Sequence, residues 1–599
     1  MRPNQRANVM LCVFTAISLA VVRGGAVGAD EPIDAALDLV PTGALAAVIV
    51  PNCASTSDQL GRLNDVLGLR VPEFVDVLSE MKQRSGLREG IVDDGAAIFI
   101  VRGLFANAAA VPGIALLPVE DFGRFTANFE TETVDGVSRL QMPGGRAPYA
   151  KPIPGYAVVG ADRQSVASFQ PPSTPGAWLK MIGPIGRYRL ALADVGLIIN
   201  VEKIAPMLQP LVTEVLRFQL DNSALIPEDR RAGCAALFGI TDASISAFLR
   251  DTRAVVLALD LQNDGVSLSV TAQFRGDSPL AGLFHGKGPA TPELLVNLPD
   301  DPFLMAAAVN TNGFSLQKFF PKLVEHVPGE MSGVAQILRH EENLMAQLRG
   351  QAFVIYGDRA RGQSGEAAIQ YAAALEVADS KTFIRTVREM LTAINGQVLQ
   401  MAPGVEATIT ASYRANERAI GGIQCDRYEI HYEFLQNDEQ RQVYSSEMVR
   451  MLGLDQSSGY IAAIDEHRVV QTNTTDAQMI SKLVAAARAP TGLGAQGAIP
   501  VARMSDLDAS PDLEMYANIT DILRFAEPWI GQQAPRAPRN GGAAQQDESR
   551  LLVVRADLAS GGVGGRVFIP MHVLRRISHA LALPQSSQFG GAMPLPHRR

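Results

Sequence analysis

Apolar and polar positions along this chain follow an order of events that occurs twice. From Leu39 to Leu67 there is a turn (Pro41-Thr42-Gly43), an apolar run from Ala44 to Val50, a polar break, and then Leu60, Leu63 and Leu67 at helical spacing. From Val296 to Val324 the order returns. Pro299 and Pro302 mark a turn, Ala306 to Val309 is apolar, and Leu316, Phe319, Phe320 and Leu323 follow from Ser315 at helical spacing. Each copy predicts a short buried strand and an amphipathic helix. Thr56 with Gln59 fits a capping box for the first helix.

The rest of the first half reads as short strands and helices joined by tight turns. Asp30 to Asp38 is a polar lead-in. Phe74, Val77, Leu78 and Met81 predict a helix from Val71, with Pro72 in its first turn. Ala96 to Val101 and Gly113 to Val119 predict strands, and Asp121 caps a helix carrying Phe122, Phe125 and Phe129. Val137 to Met142 and Gly155 to Val159 predict strands around a Pro/Gly-rich loop, with Asp162-Arg163 as a hairpin turn returning through Phe169. Leu197 to Val201 leads into a helix from Glu202 to Leu220. Arg253 to Leu261 and Val266 to Phe274 form a hairpin closed by Gln262-Asn263-Asp264-Gly265, because Asp-Gly favours the tight turn.

These landmarks recur in order after a linker at 285–294 (HGKGPATPEL). Ala352 to Tyr356 matches Ala96 to Val101. Tyr371 to Phe383 matches Gly113 to Phe125 without a gap, which places Asp379 on Asp121. Gly422-Ile423 matches Gly136-Val137, and Gly459-Tyr460 matches Gly155-Tyr156. Asp512 to Ile522 matches Asp194 to Ile204 with Asn518 on Asn200, and Leu551 to Leu558 matches Val255 to Leu261 with Asp557 on Asp260. The expectation is an α+β protein made of two homologous large α+β units with mostly antiparallel sheets, 30–284 and 295–582, arising from internal duplication. A doubly wound sheet is the alternative. The second unit carries extra loops at 435–458, 490–499 and 532–549, and 583–599 reads as a frayed tail.

Residues 1–29 read as a signal peptide, with Arg2 and Arg6 before an apolar stretch and Val27-Gly28-Ala29 as the cleavage site. No later apolar run reaches the roughly 18 residues of a membrane span. The expected location is extracytoplasmic: periplasm, cell surface or secreted. The net charge is −9, and it becomes more negative once Arg2, Arg6 and Arg23 are removed with the leader. That sign excludes the basic footprint of a nucleic-acid binder. Cys53, Cys234 and Cys425 remain, with no CxxC or metal spacing, so buried free thiols are expected.

The search for chemistry returns no catalytic, cofactor-binding or metal-ligating residue. His340-Glu341-Glu342 lacks the second His of HExxH, and His572 and His579 lack a third ligand. Gly492 to Gly497 spells GxGxxG but does not leave a strand and open a helix. Gly561 to Gly565 reads as a hairpin turn. Asp93-Asp94 and Asp300-Asp301 sit beside Gly or Pro, where Asp serves turns. Glu466-His467-Arg468, the most polar short cluster, reads as a solvated turn equivalent to Asp162-Arg163. Asp260 and Asp557, inside strands, read as edge or outward-facing positions.

The Leu39-Val40-Pro41 to Val50 stretch with its Leu60/Leu63/Leu67 helix, and the counterparts after Leu298, resemble a loose group of large secreted bacterial proteins of planctomycete type, known only as domains of unknown function. The resemblance implies no activity. Three functions follow as expectations. The first is a non-enzymatic binding or scaffold protein with an unknown protein or hydrophobic ligand as partner. The second is a carrier of a lipid-like ligand, and the third a hydrolase with an unrecognised carboxylate site. A large apolar surface patch would favour the first.

Overall fold

The structure is a computed structural model, and it describes residues 30–68, 75–103, 113–145, 147–221, 241–284, 294–312, 332–358, 368–402, 405–435, 456–489, 492–493, 499, 511–530, 551–559 and 561–575. The predicted signal peptide, Cys234, the predicted helix at Ser315 to Leu323, residues 436–455 and 532–549 of the extra loops, and the tail lie outside these.

The strands in chain order are β1 (Ala46–Val50), β2 (Ala97–Val101), β3 (Gly113–Pro118), β4 (Glu130–Val134), β5 (Val137–Gln141), β6 (Tyr149–Ile153), β7 (Tyr156–Gly160), β8 (Val195–Asn200), β9 (Thr252–Leu261) and β10 (Gly265–Phe274). The second half supplies β11 (Met305–Asn310), β12 (Leu348–Gly357), β13 (Ile369–Val377), β14 (Val398–Ala402), β15 (Val405–Ile420), β16 (Ile423–Phe434), β17 (Gln456–Ala463), β18 (Arg468–Thr472), β19 (Leu513–Asn518), β20 (Leu551–Ala559) and β21 (Gly562–Pro570). The described strands form one antiparallel sheet. Its order is β4-β5-β6-β7-β3-β2-β1-β8-β9-β10-β21-β20-β19-β11-β12-β13-β18-β17-β16-β15-β14. The fold is therefore α+β, and the doubly wound alternative is excluded.

Read outward from the β10–β21 seam, the two halves have the same order of pairings, with β14 as the extra strand. Val266 faces Leu261 in one hairpin and Val563 faces Leu558 in the other. Ser269 and Arg566, three residues further on, thus hold equivalent places, and they also face each other across the seam. The antiparallel seam places a local two-fold axis between them.

Matched landmarks carry matched devices. Asp121 accepts the amide of Arg124 at 2.8 Å and Asp379 that of Thr382 at 2.7 Å, each capping a helix: α4 (Phe122–Thr126) and α9 (Ser380–Ile394). Asn200 accepts from Lys203 N and Asn518 from Asp521 N at the starts of α7 (Val201–Asp221) and α11 (Ile519–Ile530). Asp194 accepts the amide of Leu261 at 2.7 Å, and Asp512 that of Leu558 at the same distance.

Helices cover both faces. On the first face, α1 (Asp30–Leu37) and α6 (Ala177–Ala191) bring Ile33, Leu37, Trp178 and Ile182 onto Ile49, Ile98, Ile114 and Val256. In the second half, α10 (Ala477–Arg488) lays Ile480, Leu483 and Val484 on Val354, Ala372 and Tyr460. On the second face, α2 (Cys53–Leu67) and α3 (Val77–Ser85) cover Val48, Val50 and Ala97, while α8 (Ser332–Met345) and α9 cover Val377, Ile461 and Val469.

Several expectations are corrected. The lead-in is a helix, α1, because Ile33, Ala36 and Leu37 fall on one buried stripe. Cys53 rather than Thr56 opens α2; Gln59 bonds Ser55 and Asp194, so no capping box forms. Its buried side is Ala54, Thr56, Gly61 and Asn64, and Leu60, Leu63 and Leu67 are only half-buried. Asp162 caps a short helix, α5 (Arg163–Ala167), through Ser165 N rather than turning a hairpin. Gly459-Tyr460 lies within β17, the counterpart of β6, so its match to Gly155-Tyr156 is displaced by one strand. Glu466-His467-Arg468 follows β17, and its topological counterpart is the β6–β7 turn. Gly562 to Gly565 belong to β21 rather than to a turn. Leu294 belongs to the core of the second half, and Gln456 to Ser458 to β17, rather than to linker and loop.

Candidate functional site

The two faces of the sheet are unlike at the seam. On the first face, β10 buries Ser267, Ser269 and Thr271, β21 buries Arg566, β20 buries Arg555 and Asp557, and β19 buries Glu514. Helix α6 crosses above them. Its Arg189, 4% exposed, donates Nη2 to Asp557 Oδ2 at 2.6 Å. Arg566 reaches Asp260 at 3.3 Å and bonds Ser267 Oγ. Tyr516 Oη donates to Glu514 at 2.8 Å, and Arg555 approaches Tyr516 Oη. Asp260 and Asp557 are therefore neither edge nor outward-facing. Each pairs with an arginine of the other half, which compensates the cost of taking both charges out of water. Gly564 in β21 lets α6 sit down here: a Cβ there would come within 2.6 Å of Ile185 Cγ2.

On the second face the same strands are apolar and only partly covered. Directly opposed residues share a face, so Leu257 and Leu259 of β9, Val266, Leu268 and Val270 of β10, Val567 and Ile569 of β21, and Leu552, Val554 and Leu558 of β20 form one band. Leu268 is 46% and Val270 44% exposed, and the others are half-buried, except for buried Leu261 at the end of β9. Helix α7 packs beside this band through Val201 and Ala205 against Ile199 and Val255. Its far side carries exposed Met207, Leu211, Val215 and Phe218. The arrangement offers van der Waals contact to an apolar partner.

A cleft of about 590 Å³ lies in the second half beside the β17–β18 turn. Leu294, Val296, Ala374 and Val470 supply apolar wall, and Glu376, Glu466 and His467 the rim. Asp465 accepts the amides of His467 and Arg468 at 2.9 Å each and the Arg468 Nε at 2.6 Å. Burial opposes ionisation of Asp465, but these three donors outweigh it and hold the carboxyl below its usual range. His467 Nδ1 lies 2.9 Å from Ala378 O.

The other screened residues stay apart. Asp93 pairs with Lys82 at 2.6 Å and Asp301 with Lys482 at 2.8 Å. Burial pushes Asp194 up to about 6, the value of a general acid, with the Leu261 amide opposing and Asp260 adding to the rise. Its matched partner Asp512 makes the same backbone latch, so the role is structural. Burial pushes the Cys53 thiol up to about 12 and Cys425 up to about 11; both are buried and free, as expected. His572 is helical, and His579 lies outside the described residues. No group of three or more His, Cys, Asp or Glu suited to a metal occurs among the described residues. No described helix is long and apolar enough to cross a membrane.

No known family's sequence profile matches this chain, and no curated protein matches it significantly. Two solved structures are similar in part. Crystal form III of TP0453 is 7% identical, with 49% of this chain aligned to 99% of that one at a TM-score of 0.22. Crystal form IV is 9% identical, with 49% aligned to 97%, again at 0.22. That similarity carries no weight for fold or function.

Proposed function

We propose that this is an extracytoplasmic, non-enzymatic binding protein built by internal duplication, and that its contact surface is the apolar second face at the seam. The carrying observation is the continuous Val/Leu band around Leu268 and Val270, which leaves large side chains in water at the middle of the sheet. Exposed contiguous apolar surface of that kind marks ligand or partner sites. The band draws strands from both halves, which gives the duplication a use: neither half has it alone. A lipid-like ligand is the narrower form of the reading, supported by the half-buried leucines of α2 and the exposed stripe of α7 on the same face.

The test is native mass spectrometry of purified 30–599 followed by organic extraction, with an environment-sensitive naphthalene sulfonate dye as a second readout. Dye binding that falls when Leu268→Lys and Val270→Lys are combined supports the surface. Dye binding untouched by both changes overturns it.

A further inference from the structure

The cleft beside the β17–β18 turn has a charge pattern that selects its ligand. Among the described residues its one lining arginine is already engaged: Arg468 pairs with Asp465 at 2.6 Å and donates Nη1 to Ala487 O at 2.6 Å. Glu376 and Glu466 remain as two rim carboxylates with no ion pair among the described residues. His467 Nδ1 faces the Ala378 carbonyl oxygen at 2.9 Å, so Nδ1 carries a proton and donates to it. The two rim carboxylates offer electrons above a wall of Leu294, Val296, Ala374 and Val470.

We propose that this cleft binds a primary ammonium group carried on an apolar body, at a site separate from the central apolar face. An ammonium brings three N–H donors and a positive charge to a rim of acceptors, and its apolar body takes the wall. A quaternary ammonium keeps the charge but lacks the donors. A carboxylate meets like charge, which costs affinity.

The test is calorimetric titration of the full chain with n-decylammonium, decyltrimethylammonium and decanoate, each below its micelle concentration. Decylammonium should bind about tenfold or more tighter than either competitor. Combining Glu376→Gln with Glu466→Gln should erase that preference. Leu268→Lys should leave it intact, which separates this site from the central face. Glu130→Gln with Glu132→Gln, on the exposed strand β4, controls for general attraction to an acidic protein and should also leave it intact. Equal binding of the three ligands, no binding, a preference that survives the Glu376/Glu466 change, or one lost in either control would overturn the proposal.

Discussion

At the scale of single residues, the informative positions are charges buried where a strand pattern offers no reason for them. Asp557 is paired with Arg189, whose side chain is 3% exposed, so Asp557→Ala removes a carboxylate partner from a buried guanidinium. Loss of about 3–5 kcal/mol is expected in urea unfolding. Asp260→Ala should cost less, because its partner lies at 3.3 Å and the carboxylate is 22% exposed. Asp194 gives a pH signature. Burial raises its folded pKa to about 6 from an unfolded value of 3.8, so the folded state favours the protonated acid. Its contribution is fully present below about pH 4 and is lost as pH rises through about 6. Asp194→Asn should flatten stability against pH across that window, and an unchanged slope would reject the assignment. The Asp260 and Asp557 match was visible in the sequence, but their ion pairs were not, because each partner lies in the other half.

At the scale of elements, the sequence yielded those with clean periodicity. The β9–β10 hairpin, β8 running into α7, and β13 running into the Asp379-capped α9 all follow from alternation, Asp-Gly and capping signals. Elements whose composition contradicts their state escaped it. Strand β4 (ETETV) is exposed throughout, so it has no apolar alternation to detect. Strand β6 contains Pro152, and α6 is interrupted by Gly183-Pro184, where Gly183 takes a φ of 68°. That kink fits α6 over the seam, with Gly564 beneath it. Gly564→Val should therefore overpack the α6–β21 contact and cost about 1–3 kcal/mol, measured by thermal or urea unfolding. A neutral result would mean that α6 does not rest on β21.

At the scale of the molecule, one pairing among the described strands, β10 with β21, joins the halves. Cutting the chain in the 285–293 segment and keeping 30–284 would leave the edge of β10 without its partner. Open edges seek new pairings. Because β10 and β21 hold equivalent positions about the local two-fold, a second copy of β10 can take the place of β21. The fragment should run as a dimer in light scattering, and Val270→Pro, which removes a ladder donor, should return it to monomer. A monomeric parent fragment would show that the seam is not self-complementary.

The sequence by itself determined the α+β class, the recurring order of landmarks, most strand and cap positions, and the scarcity of catalytic motifs. These are local or repeated signals, readable from spacing and side-chain type. Only the tertiary structure decided which face of a strand is inside. Val266-Ser267-Leu268-Ser269-Val270-Thr271 alternates cleanly, and alternation alone puts valine and leucine in the core. At the seam the reverse holds: the hydroxyls lie beneath α6 with Arg189, Arg555 and Arg566, and Leu268 and Val270 face water. A period of two residues fixes that two faces differ. The helices and charges arriving from the other half fix which of them is buried.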